Sequence, residues 1–290
     1  MNDRFLRSLP IIGRLFDKRP QVAVLRLSGV ITAATGGFRR ALDIGGQAPL
    51  IQRAFSIPRL SAVALVINCP GGSPAQSSLI AGRIRAFADE KKIPVYAFVE
   101  DVAASGGYWL ACAADEIHAD PNSIVGSIGV ISAGFGFQDF IERHGIERRI
   151  HTTGRRKAML DPFRPEQPED LLRLQALQAD IHRSFIDHVR ARRGARLKGD
   201  DETLFSGEFW TAGPALDLGL VDGLGDGRTV LRRKFGEDVR LIGVQPRRGW
   251  LRSRFGMAAV PSLASLAADD LAGAVINAVE ERALWSRFGL

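Results

Sequence analysis

Cysteine is nearly absent from this 290-residue chain: Cys69 and Cys112 are the two, far apart and in apolar surroundings. Such a pair excludes a disulfide framework and a cysteine-based metal site, and both side chains are expected to be buried thiols. Long apolar runs are missing too. No stretch reaches the roughly 18 residues of a membrane span, so no transmembrane helix is expected. The first segment, MNDRFLRSLPIIGRLFDKRP, lacks a continuous apolar region and a small-residue cleavage site, which argues against a secretory signal. There is no zinc-finger spacing and no interleaved aromatic platform, so a nucleic-acid partner is not expected. No P-loop or Rossmann spacing occurs, and no cofactor or metal is expected.

What is present is an ordinary globular composition, 46% hydrophobic and 24% charged, with a surplus of arginine that gives a net charge of +7. The arginines cluster in RRIHTTGRRK, HVRARRGARLKG and QPRRGWLRSRFG. Runs of this kind are solvated faces or rest on anionic surfaces, and contact with lipid or acidic peptide ranks above nucleic acid. In the first segment, Phe5, Leu6, Leu9, Ile12 and Phe16 can share one face, flanked by Arg4, Arg7, Arg14 and Lys18. That pattern fits an interfacial helix. Pro10 interrupts it, and an arm packing on a neighbour fits equally well.

The apolar runs QVAVLRLSGVI, SAVALVIN and PVYAFVE, with the helical spacing of SLIAGRIRAFADEKK before the third, predict βαβ units and a buried parallel sheet. Alternation continues through EIHA, SIGVIS, a helix at FQDFIERHG and a strand at ERRIHTT, giving an α/β fold. From Pro168 to Arg193 a long amphipathic helix is predicted, with Leu174, Leu177, Ile181, Phe185 and Val189 at helical spacing and a stop at Gly194. A short helix and turn at ALDLGLVDGLGD, a helix at GRTVLRRKFGE and a strand at VRLIGV follow, and the tail from Ser262 reads as an amphipathic helix.

Two stretches carry possible chemistry. In DVAASGGYWLACAADEI, Ser105 stands where a strand turns into a helix. It suits a helix N-cap, whose hydroxyl accepts an orphan N–H, and it suits a nucleophile at a tight strand-to-helix turn. In INCPGGSPAQSS, the glycines can bring backbone N–H groups close to a ligand or simply make a turn. A serine nucleophile needs a base. None of the histidines, at 118, 144, 151, 182 and 188, has a signature that places it beside Ser105. Lys157, after Gly154 and before Ala158, Met159 and Leu160, is either a surface charge or a desolvated amine able to act as base.

Taken in order, NCPGGSP, VAASGGYWLACAADEI, GSIGVI, TGRRKAMLDPFRPE and ALDLGLVDGLG resemble the signal peptide peptidase A family of serine-lysine peptidases, over roughly Val22 to Gly243. The resemblance implies a Clp protease/crotonase-like fold, with stacked βαβ units and added helices. It implies Ser105 as nucleophile, Lys157 as general base, Ser127 as the residue that orients the lysine amine, and Gly72 with Gly106 as oxyanion-hole donors. It further implies peptide substrates such as remnant signal peptides, and a homo-oligomeric ring in which one site draws on adjacent subunits. Burial of Lys157 would then be part of the mechanism. Family members commonly carry a membrane anchor or a duplicated half, so a short, single-repeat form is expected. Its expected parts are an N-terminal arm at 1–20, a peptidase domain at 21–245 and a helical tail at 246–290. Its expected place is the cytoplasm or the periphery of the inner membrane. The rival readings are a crotonase-type acyl-CoA hydratase or isomerase, which needs no serine-lysine pair, and an inactive scaffold of the same fold.

Overall fold

In the computed structural model, residues 19–33, 42–154, 156–245, 279 and 281–290 are described. The possible interfacial helix of the first segment, and most of the tail expected to be helical, lie outside the described residues. The three apolar runs form β1 (Gln21–Ser28), β2 (Leu60–Cys69) and β3 (Val95–Ala104). They pair in parallel, with Leu25 beside Leu65 and Leu65 beside Ala97. The sheet order is β6-β5-β3-β2-β1-β8, where β5 is Ile124–Gly126, β6 is Phe209–Thr211 and β8 is Arg240–Gly243. Two further strands, β4 (Glu116–Ala119) and β7 (Gly223–Leu224), extend from β3. Among the described residues, only the β5–β6 pair is antiparallel.

Helices α1 (Ile44–Phe55), α2 (Pro74–Lys91), α3 (Gly106–Ala111) and α5 (Pro168–Arg193) bury one face of the sheet. Leu25, Leu65, Ile67, Ile80, Ile84 and Leu110 are fully buried there. Each such side chain contributes about 1.5–3 kcal/mol of transfer free energy. The opposite face is covered in two places. Helix α8 (Gly227–Phe235) packs Val230 and Leu231 on Val22, Ala62, Ala64 and Phe98. Trp285 and Phe288 pack on Val102, Ala104 and Ile124.

Helix α1 was not anticipated. Gly45, Gly46 and Pro49 weaken its helical pattern, but Asp43 caps it by accepting the Gly46 N–H at 2.8 Å, and Ile51, Ala54 and Phe55 are buried. Two expected strands differ. The SIGVIS strand is displaced: the ladder occupies Ile124–Gly126 instead, and ends where Ser127 turns to φ 53°. ERRIHTT is not a strand, since residues 147–153 join no ladder and nearly all are exposed. It belongs to an excursion between β5 and α5 whose one helix is α4 (Gln138–Arg143). The excursion closes on itself through the Phe137 N–H to the Pro162 carbonyl at 2.6 Å and Arg148 over the Phe163 ring at 4.6 Å. It leaves Ile131, Phe135, Phe140 and Ile146 more than half exposed.

The long helix spans the residues expected of it, with Pro168 in its first turn and Gly194 beyond its end. Glu169 and Asp170 at its start and Arg190, Arg192 and Arg193 at its end complement its dipole. Its apolar stripe is used unevenly, however: Phe185 and Val189 are buried, while Leu172, Leu177 and Ile181 are exposed. The remaining short helices are α6 (Asp201–Leu204) and α7 (Ala212–Asp217). No helix among the described residues is long and apolar enough to cross a membrane.

Candidate active site

The C-terminal ends of β2 and β3 bring the two glycine-containing turns together. Ser105 follows β3 directly and holds φ 52° and ψ −120°, a conformation that costs an L-residue about 1–3 kcal/mol. Its N–H donates to the Gly126 carbonyl at 2.8 Å, and its carbonyl accepts the Trp109 N–H at 3.0 Å, so both sides of the turn are fixed. Ser105 occupies the N-cap position of α3, but its hydroxyl caps nothing. This corrects the capping expectation. A serine that caps has extended backbone angles, and the positive φ of Ser105 departs from that geometry. The side chain is half-buried, and its hydroxyl is not consumed by the first turn of the helix.

The PGG turn is locked against the strand before it. Ile31 donates its N–H to the Gly71 carbonyl at 2.8 Å, and its own carbonyl accepts the Ser73 N–H at 2.7 Å. Gly72 lies between these bonds, so its own N–H is not spent on either. A Cβ at Gly72 would fall on the Ile31 carbonyl, and φ is 134° there. A Cβ at Gly71 would come within 2.8 Å of the Ser105 Cβ and 3.1 Å of the Gly106 nitrogen. A Cβ at Gly106 would lie 3.4 Å from the Gly72 nitrogen. Glycine therefore lets the two turns meet. The Gly106 N–H, at the first position of α3, is one of the orphan donors of a helix start. Among the described residues neither N–H has a hydrogen-bond partner, and the two flank the serine.

Ser127 is held close by. It is buried, also at positive φ, and its N–H donates to the Glu208 carbonyl at 2.6 Å. The Gly126 carbonyl just before it is the one that accepts from Ser105. Lys157 is different. It lies in a turn of the excursion, where its N–H bonds the Gly154 carbonyl at 3.2 Å, and its side chain is exposed. The single chain thus assembles Gly72, Ser105, Gly106 and Ser127. It does not supply the burial expected around Lys157, because the excursion carrying that lysine stands away from the core.

Beneath the Ser105 turn, α3 and the elements around it are tied together by polar anchors. Tyr108 donates its hydroxyl to the Leu220 carbonyl at 2.7 Å. Arg193, 2% exposed, makes two bonds to Asp222, at 2.7 and 3.0 Å, and caps the Gly219 carbonyl. Burial alone would raise the Asp222 carboxyl, but the Arg193 bond, the Ile117 N–H and the charges of Arg193 and Arg196 hold it below its ordinary value. Both thiols are free and buried, as expected, and burial pushes each up to about 12. Two histidines also reach the site's backbone: His188 Nε2 lies 3.1 Å from the Trp109 carbonyl and His182 Nε2 lies 3.1 Å from the Ile128 carbonyl. Neither bond was readable in the sequence, because the acceptors are main-chain oxygens that any residue supplies. A cavity of about 460 Å³ lies on the other face of the sheet, walled by Phe98, Leu231 and Leu241, and none of the candidate residues lines it.

The parallel sheet with strand-to-helix turns at one end is a ClpP/crotonase-like fold. It is shared with a solved mutant of the 1510-N membrane-bound stomatin-specific protease in complex with a substrate peptide, at a TM-score of 0.50 and 18% identity over 79% of this chain and 94% of that one. The model of peptidase family S49 matches residues 87–238, more than half of the chain. The chain belongs to peptidase family S49, as an SppA-type member. Among its relatives, the chloroplastic serine protease SPPA of Arabidopsis thaliana is 31% identical over 71% of this chain and 31% of its own length. A Brucella abortus (strain 2308) protein named Na(+)/H(+) antiporter NhaA is 48% identical over 97% of this chain. The chain spans about two-fifths of that protein's length.

Proposed function

We propose that this chain is a serine endopeptidase with a serine-lysine dyad, acting on peptides such as remnant signal peptides or other membrane-derived segments. The observation that carries the reading is the strained turn at Ser105, whose uncapped hydroxyl stands beside the unspent N–H groups of Gly72 and Gly106. In the reaction the Lys157 amine, unprotonated, accepts the Ser105 proton as Oγ bonds to the peptide carbonyl carbon. The carbonyl oxygen takes the negative charge and is held by the Gly72 and Gly106 N–H groups. Collapse breaks the C–N bond, and the Lys157 ammonium returns the proton to the leaving amine. Water, deprotonated by the same amine, then releases the acyl group from Ser105. Ser127 holds the amine in line.

The exposed position of Lys157 supports a site completed between copies of the chain. Ile131, Phe135, Phe140, Leu172 and Leu177 are exposed as well, apolar surface available for such an assembly to bury. We assign the assembly to a closed homo-oligomeric ring, with 21–245 as the peptidase domain, 1–20 as an arm that rests on a membrane surface, and 246–290 as a tail. The protein then works in the cytoplasm or on the periphery of the inner membrane. Mixing tests this. S105A and K157A should each be inactive on fluorescein-labelled casein, and the two chains unfolded and reassembled together should recover part of the activity. Verified exchange without recovery would place both residues in one chain. Full activity of either pure variant would remove the dyad.

A further inference from the structure

We propose that His182 is a positioning residue for the catalytic site, fixing the Ile128 carbonyl directly after Ser127 and the start of the excursion that carries Lys157. The inference rests on the roles given above to Ser127 and Lys157. Three consecutive residues form the floor beside the nucleophile, and each is tied to a different part of the fold. The Gly126 carbonyl accepts the Ser105 N–H at 2.8 Å. The Ser127 N–H donates to the Glu208 carbonyl at 2.6 Å. The Ile128 carbonyl takes the His182 Nε2 at 3.1 Å. A carbonyl oxygen only accepts, so Nε2 carries the proton in this bond, and both the neutral ring and the imidazolium can make it.

Ser127 needs such restraint. Its φ of 53° is unfavourable for a residue with a Cβ, and conformations of that kind persist where the surroundings over-determine them. Gly126 is pressed against the Trp210 ring on one side, where a Cβ would come within 2.9 Å. On the other side Ile128 is fully buried, and three residues further on Ile131 is 66% exposed. His182 therefore grips the last buried residue before the chain leaves for Lys157, and it does so from α5, the helix to which the excursion returns. One side chain closes the base of the excursion.

The bond is not what docks α5. Phe185, Val189 and Arg193, one, two and three turns further along, are buried against the core, and Phe185 stacks on Trp109 at 4.7 Å between ring centroids. His182 is only half-buried, next to the exposed Ile181. Losing its ring should leave α5 in place and free the Ile128 carbonyl next to Ser127, a separation that a merely structural residue would not give.

The test uses the full chain and a fluorophosphonate probe, which phosphonylates an activated serine with loss of fluoride, needs no known substrate, and separates the rate of bond formation from probe binding. For H182A, we expect the limiting rate of labelling to fall about tenfold, the upper scale of one net hydrogen bond, with probe affinity changed less than about twofold. The Tm should stay within about 2 °C of the parent. H182Q, whose Nε2 can stand where the histidine Nε2 stands, should recover the rate, and the shorter H182N should not. Parent-like labelling of H182A, or equal rates for H182Q and H182N, would overturn the assignment. Should H182A fail to fold, the comparison of H182Q with H182N decides alone. S127A is measured alongside. If it labels at the parent rate, the role given to Ser127 falls and the route argued for His182 falls with it. If it is slow and H182A is not, only the inference about His182 fails.

Discussion

Replacing Asp222 by alanine removes one half of the most deeply buried ion pair described in the fold. Arg193 has a side chain 1% exposed, and its partners are Asp222, at 2.7 and 3.0 Å, and the Gly219 carbonyl, at 2.8 and 3.1 Å. In D222A the guanidinium keeps a carbonyl and loses both charge-assisted bonds, and the Ile117 N–H loses its acceptor, now 2.7 Å away. A buried charge left without its partner typically costs about 3–5 kcal/mol. In a chain of this size that corresponds to a fall in Tm of roughly 6–12 °C. D222N keeps an acceptor for Ile117 and should lie between the two. The double variant R193M/D222A removes both charges and should be less destabilised than the sum of its parts, because no buried ion remains unpaired. The pH dependence has a definite sign. The Asp222 carboxyl is held below its ordinary 3.8, so its contribution is present above that value and is lost as pH falls through the lower folded value. The gap between parent and D222A should close in that acid range. Thermal unfolding by circular dichroism reads all of this. A D222A Tm within about 2 °C of the parent, or strict additivity in the double variant, would refute the reasoning.

Three further outcomes are expected. G72A puts a methyl group on the Ile31 carbonyl and disturbs an N–H aimed beside Ser105, so casein hydrolysis should fall about 100- to 1000-fold with far-ultraviolet dichroism unchanged; near-parent turnover would exclude Gly72 as an oxyanion donor. Cys69 and Cys112, buried and pushed up to about 12, should resist iodoacetamide at neutral pH in the folded protein and react once it is unfolded in guanidinium; rapid labelling of the native chain would contradict their burial. His188 is held below its ordinary 6.5 chiefly by burial, with Arg192 adding to the effect, so its neutral form stabilises the fold above that pH and the contribution is lost as pH falls toward the lower folded value. In H188F, which keeps an aromatic ring against Trp109, Tm should decline less steeply between neutral and mildly acidic pH, and an unchanged slope would remove His188 as a source of acid sensitivity.

The parts of this fold that could be read in advance are those whose partners lie close in sequence or whose pattern repeats. Helix α5 runs from Pro168 to Arg193 with its proline, its acidic first turn and its closing glycine all visible as residues. β1, β2 and β3 announce themselves by mostly apolar runs, as strands covered on both faces over much of their length do, with Arg26 and Asp101 among the exposed exceptions. Residues 147–153 have strand-like composition, but strand formation needs a neighbouring edge, and the excursion offers none. The three-residue β6 exists because Trp210 lies opposite Val125, a pairing across 85 positions that no local pattern encodes. At the site, Gly72 and Gly106 were reached through the resemblance of their motifs to the family, and the close approach of the two backbones accounts for glycine at both positions. The exposure of Lys157 and the grip of His182 on Ile128 left no signature in residue type. One depends on where an excursion is carried, and the other ends on a main-chain oxygen.

Trp285 and Phe288 lie against Val102 and Ala104, the residues that lead directly into Ser105. During synthesis, β3 and its serine leave the ribosome long before the segment that backs them has been made. Until residue 288 emerges, the underside of that strand stands open at that point. The turn at Ser105 therefore gains its backing from a contact that spans about 180 positions of the chain, which is a long loop to close and places this support late in folding.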